Sequence, residues 1–198
     1  MAISSLSTSS MVSGVKRRRV WDQSATTDGF FQIASTTAGA GGTSTITFSS
    51  IPTTYTHLQL RISCRSTTAA GLSWSRLRMN SDSTNANYKG HQLYGEGSSA
   101  ASTNFGSESG IAAFLTVGST GTANVFNAAI IDILDYSNTN KYKTIKVLQG
   151  NDTNGAGYII FHSGVWLSTS SINSLTFSDV NSGNYAQGSI FSLYGVKG

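Results

Sequence analysis

The sequence predicts an all-β protein: an antiparallel β-sandwich or jelly roll behind an extended N-terminal arm. Three observations predict it. Apolar residues recur at every second position through much of residues 30–198, the period of a half-buried strand. The intervals between these runs are rich in Gly, Asn, Ser and Asp, each of which favours a turn for its own conformational reason. No segment carries a sustained helical period with caps. The nearest is residues 125–135, where the β-branched Ile130, Ile131 and Ile133 favour a strand.

The expected boundaries are an attachment arm over residues 1–28 and a sandwich domain over residues 29–198. Strand character begins at Phe30. Ile46 and Phe48 then alternate with Thr45 and Thr47. The clearest strand is residues 57–65, where Leu58, Leu60, Ile62 and Cys64 share one face and His57, Gln59, Arg61 and Arg65 the other. Pro52 is the single proline, placed in the turn before that strand, where no ladder N–H is lost. Residues 74–79 alternate again, with Leu77 and Met79 opposite Trp74, Arg76 and Arg78. Residues 95–110 are dominated by Ser, Ala and Gly and are expected to form a long surface loop. Residues 111–117, 125–134, 142–148, 158–167, 172–177 and 188–196 complete the set. Nine or ten short strands at fairly regular spacing point to stacked antiparallel sheets.

The totals bound the class. At 198 residues the chain fits one domain and an arm, large enough to bury roughly 70% of its unfolded surface without a disulfide or metal. Its one cysteine, Cys64, permits no intrachain disulfide, which suits a reducing cytoplasm and not a disulfide-rich secreted scaffold. No apolar run approaches the roughly 20 residues that span a bilayer, so no membrane association is expected.

Only 11% of residues are charged, with 13 basic and 9 acidic. The net charge of +4 equals one short run, Lys16-Arg17-Arg18-Arg19, in the Ser-rich arm. A poorly charged body with a localised basic tether suits a subunit held in a larger assembly better than a free enzyme. Alone, the arm cannot bury enough apolar surface to offset chain entropy. A partner subunit is therefore expected to hold it through Ile3, Leu6, Met11, Val12, Val15 and Trp21, with the four basic residues docking on the same partner. The alternative is an arm packed on its own domain.

Motifs for chemistry are scarce. His57, His91 and His162 are far apart and make no zinc-type spacing. Gly106-Ser107-Glu108-Ser109-Gly110 puts Glu108 where a nucleophile elbow needs serine. Asp132 and Asp135, three apart, fall on opposite faces of a strand. Asp152-Thr153-Asn154-Gly155 opens like a calcium loop, but Ser163 stands where that loop needs Glu. No catalytic residue, metal or cofactor is expected. One constellation stands out: Trp74, Arg76 and Arg78 on one strand face, with Tyr88 and Tyr94 nearby in sequence. Such a face stacks sugars or bases or forms an interface hot spot, unless the protein's own loops cover it.

Four segments carry a resemblance: residues 42–66 (GTSTITFSSIPTTYTHLQLRISCRS), 76–95 (RLRMNSDSTNANYKGHQLYG), 125–146 (VFNAAIIDILDYSNTNKYKTIK) and 188–198 (GSIFSLYGVKG). Over residues 30–198 the chain resembles small β-rich virion proteins of tailed bacteriophages, especially marine and cyanobacterial phages. The resemblance implies a structural or adhesive role on a virion and assigns no site residues. The arm is not part of the shared pattern.

Together these readings lead to an expectation of a non-enzymatic virion protein, assembled in the host cytoplasm. It would be an exterior capsid decoration, cement or head-fibre subunit, homo-oligomeric with a trimer favoured, its arm clamped on another virion protein such as the major capsid protein. The alternative is a tail-fibre module recognising host surface glycans. A second alternative is a single-stranded nucleic-acid binder using the basic run and the Arg76/Arg78 face, though charge confined to one run makes nucleic acid a poor fit. A hydrolase whose site forms between subunits is the remaining rival.

Overall fold

In a computed structural model, residues 29–106 and 109–197 are described. The expected arm over residues 1–28, with all ten of its docking residues, lies outside the described residues.

Twelve strands follow in order: β1 Phe30–Thr37, β2 Thr45–Phe48, β3 His57–Cys64, β4 Leu72–Met79, β5 Tyr88–Glu96, β6 Ser99–Gly106, β7 Ile111–Val117, β8 Asn127–Leu134, β9 Lys143–Asp152, β10 Gly157–Trp166, β11 Leu175–Asp179 and β12 Ile190–Val196. A short 3-10 turn, Asn85–Asn87, precedes β5. Eight strands form one sheet in the order β1-β12-β3-β8-β9-β10-β5-β6, and four form a second in the order β2-β11-β4-β7. Every pairing between these strands is antiparallel. The two packed sheets make the predicted β-sandwich. Their strand orders do not establish the eight-stranded double Greek key of a jelly roll.

The core lies between the sheets. Leu58 and Leu60 of β3, Ile131 and Ile133 of β8, and Ile145 and Val147 of β9 are fully buried on the inner face of the larger sheet. They meet an aromatic cluster in which Phe177 lies 5.3 Å from Phe191, and Tyr185 lies 4.8 Å from Phe191, between ring centroids. Each such side chain contributes about 1.5–3 kcal/mol on burial, so this layer outweighs any surface term. Cys64 ends the inward row of β3, its thiol donating to Asn127 Oδ1 at 3.0 Å. Burial raises the Cys64 thiol pKa well above its ordinary value, with Asp179 adding to the effect.

Two cations hold loops from within. Arg65 donates to the carbonyls of Thr122, Val125, Gly118 and Gly121 at 2.5–3.0 Å, closing the loop after β7. Lys143 is fully buried and donates to the carbonyls of Asn138, Lys141 and Thr169.

The expected long loop over residues 95–110 is instead largely a β-hairpin. β5 runs to Glu96, Gly97 turns at φ 52°, and β6 pairs with β5 from Ser99 to Gly106. β6 is an edge strand exposed along almost all its length. Backbone hydrogen bonds hold it, so its sequence carries no apolar alternation for a pattern reading to find. Small polar residues also blunt an edge against unwanted pairing.

Candidate functional site

The outer face of the eight-stranded sheet is the most unusual surface of the described residues. Its strands β8, β9, β10 and β5 are internal to the sheet, and their backbone groups are spent on their neighbours. A face of this kind is normally polar, because alternation sends every second residue into water. Here it is apolar. Leu93, Phe161, Leu148 and Ile130 are directly opposite one another across four successive strands. Their exposures are 58%, 48%, 54% and 41%. Arg61 and then Ser192 continue the row on β3 and β12.

The neighbouring row has a different profile. Ile159, 70% exposed, faces Gly95 on one side and Gly150 on the other. Ala128, Ser63 and Ile190 complete it. Small residues between two isoleucines leave a shallow hollow of about 830 Å³, and Arg61 is its one charged lining residue. The third row is polar: His91, Ser163, Lys146, Asp132, Gln59 and Tyr194. Gln59 donates to Asp132 at 2.9 Å, and Arg61 donates to Gln59 at 3.2 Å. The Arg61 guanidinium lies over the Phe30 and Tyr194 rings at 5.1 and 5.6 Å, and those rings stack 4.6 Å apart. The face thus combines an apolar band, a hollow and a polar border of mixed sign, the anatomy of a contact surface.

The aromatic and arginine residues singled out from sequence do not form one face. Trp74, Arg76 and Arg78 do share the outer side of β4, in the smaller sheet. Phe105 of β6 closes edge-on over Trp74 at 5.5 Å, and Arg78 donates to the Ser109 carbonyl and hydroxyl at 2.6 and 3.1 Å. Phe105 and Ser109 of the chain itself therefore pack against two of these three side chains. Tyr88 departs from the expectation: it is buried in the core, its hydroxyl donating to the Asp82 carbonyl and accepting from Met79 N–H. Tyr94 belongs to the other sheet, 6.2 Å from Tyr158.

The histidines are separated in space as in sequence. His57 accepts a hydrogen bond from Asp135 N–H at 3.0 Å. His162 points inward, and burial lowers its pKa to about 4, the Ala112 backbone opposing the shift and His91 adding to it. Asp179 is buried and accepts from the Ser66 and Ser73 hydroxyls at 2.6 and 2.8 Å, joining β11 to β4 and the chain after β3. The carboxylate thereby ties these strands together, with no imidazole among its hydrogen-bond partners in the described residues. Among the described residues no three His, Cys, Asp or Glu side chains converge as a metal site, and no helix is long and apolar enough to cross a membrane.

Sequence reading missed the apolar face, although a signal for it exists. In Tyr158-Ile159-Ile160-Phe161 and Ala129-Ile130-Ile131, apolar residues are consecutive and not alternating, so both faces of β10 and β8 are apolar. No protein-family model matches the chain, and neither a curated protein nor a solved structure shows significant similarity to it.

Proposed function

We propose that this chain is a non-enzymatic structural subunit of a tailed-bacteriophage virion, an exterior capsid decoration or head-fibre protein. The observation that carries the reading is the apolar outer face of the eight-stranded sheet. A soluble monomer rarely leaves such a contiguous patch in water, whereas a subunit of an assembly hides it. The resemblance of residues 30–198 to small phage virion proteins gives the assembly its class. The basic run 16–19 gives the subunit a tether, with a partner such as the major capsid protein as its seat.

The test is incorporation. Particles assembled with the chain lacking residues 1–20 should contain none of it, while the truncated protein alone keeps its β-sheet circular dichroism and cooperative unfolding. Normal incorporation of the truncated chain would refute the anchoring role of the arm.

A further inference from the structure

We infer that the outer face of the eight-stranded sheet is the seat of a second copy of this chain, the two large sheets packing face to face. The inference concerns self-association in solution and does not depend on the virion reading.

Four observations favour this occupant. The first is area. Leu93, Phe161, Leu148, Ile130, Ile159 and Ile190 are each between two-fifths and seven-tenths exposed. Together they offer on the order of 500 Å² of apolar surface. With the polar row beside them the face approaches the roughly 800 Å² per partner of a standard stable interface.

The second is backbone satisfaction. The face belongs to strands with a neighbour on each side, so an added strand cannot pair with them. Only side chains are offered, and they spread across five strand spacings from β5 to β12. A partner has to bring a comparably broad apolar surface of its own. A second sheet stacked about 10 Å away does this, whereas one extended peptide would cover only a strip.

The third is shape. The hollow over Gly150, Ala128 and Ser63 has room for a large aliphatic side chain, and Ile159 beside it protrudes with 70% exposure. One face supplies both knob and hole, the self-complementarity that an isologous contact demands.

The fourth is charge. The polar border holds Lys146 directly opposite Asp132, and Arg61 sits at the end of the apolar row. Because the face carries both signs, the Asp132 of one copy can meet the Arg61 or Lys146 of the other. The chain's own arm is a poorer occupant, since it would bring Lys16-Arg17-Arg18-Arg19 towards Arg61 and Lys146.

The experiment is sedimentation velocity on the full chain through a dilution series, in low and high salt. It is repeated with Ile159→Lys, with Leu148→Gln and with a chain lacking residues 1–28. The expected result is a concentration-dependent species of at least twice the monomer mass that persists in high salt and without the arm. Each substitution should raise its dissociation constant at least about tenfold. Both positions are solvent-facing, and an unchanged thermal transition of the diluted variants shows that folding is intact. A full-length chain that stays monomeric throughout overturns the inference. So does an oligomer that neither substitution weakens. A monomer that associates only once residues 1–28 are removed assigns the face to the arm and overturns it as well.

Discussion

Phe161 on β10 stands directly opposite Leu148 on β9, and about half of each side chain is open to solvent. On the reverse side of the same strands, Ile160 and Val147 are buried in the core. The two strands are therefore apolar on both faces, as strands are when another layer covers each side. One covering layer is the four-stranded sheet. The other is the contact proposed above, and it gives these exposed side chains a reason to be apolar.

Arg65 should govern the stability of the loop between β7 and β8. It satisfies four backbone carbonyls with one rigid planar cation. Arg65→Ala leaves them without that donor and is expected to cost about 2–3 kcal/mol in urea unfolding. Arg65→Lys should recover only part of the loss, because an ammonium carries three donors and no fork. Hydrogen exchange should accelerate over residues 118–125 before it does so in β3.

His162 should make the fold acid-sensitive in a defined window. Its folded-state pKa is about 4 against an ordinary value of 6.5, so the native state favours the neutral ring. The unfolded chain binds the proton first. The stabilisation is complete above pH 6.5 and is lost as pH falls from there to about 4, a loss on the order of 3 kcal/mol. His162→Gln should flatten the unfolding free energy across that window. Gly90→Ala should destabilise the same region, because an added Cβ would lie 2.4 Å from His162 Nε2.

Asp82 should act in a lower window. Burial opposes its ionisation, but hydrogen bonds from Trp166 Nε1, Asn87 Nδ2 and Thr84 N–H, at 2.7–2.9 Å, outweigh this and hold its pKa near 2. Its contribution is present above about pH 4 and disappears as pH falls towards 2. Asp82→Asn turns one of two acceptor oxygens into a donor, so either Thr84 N–H or the Trp166 indole and Asn87 amide lose their acceptor. It is expected to cost about 1–3 kcal/mol and to shift tryptophan emission. An unfolding midpoint and emission spectrum matching the unsubstituted protein would refute the role assigned to this carboxylate.

The inward faces were the legible part of this chain. Leu58, Leu60, Ile62 and Cys64 alternate because one side of β3 meets the core, and all four are buried as read. The β5–β6 hairpin was illegible for the opposite reason: Ser99, Ala100, Ala101, Ser102 and Thr103 bury little, and a pattern of burial cannot report a strand held by its backbone. The candidate face escaped for a third reason. Trp74, Arg76 and Tyr88 stand out in the sequence by their special chemistry, while the face is made of ordinary aliphatics whose meaning depends on register. Only pairing brings Leu93, Phe161, Leu148 and Ile130 into one line, because they are far apart in sequence.

The most direct measurement is the accessibility of one position on that face. Cys64 is the single cysteine and is fully buried, so the folded chain has a silent thiol background. In Ile159→Cys, maleimide should react rapidly in dilute solution and slow markedly as concentration rises and the faces close on one another. Thiol reactivity at residue 159 that stays constant from the dilute to the concentrated state would contradict the claim that this sheet face is where the protein is held.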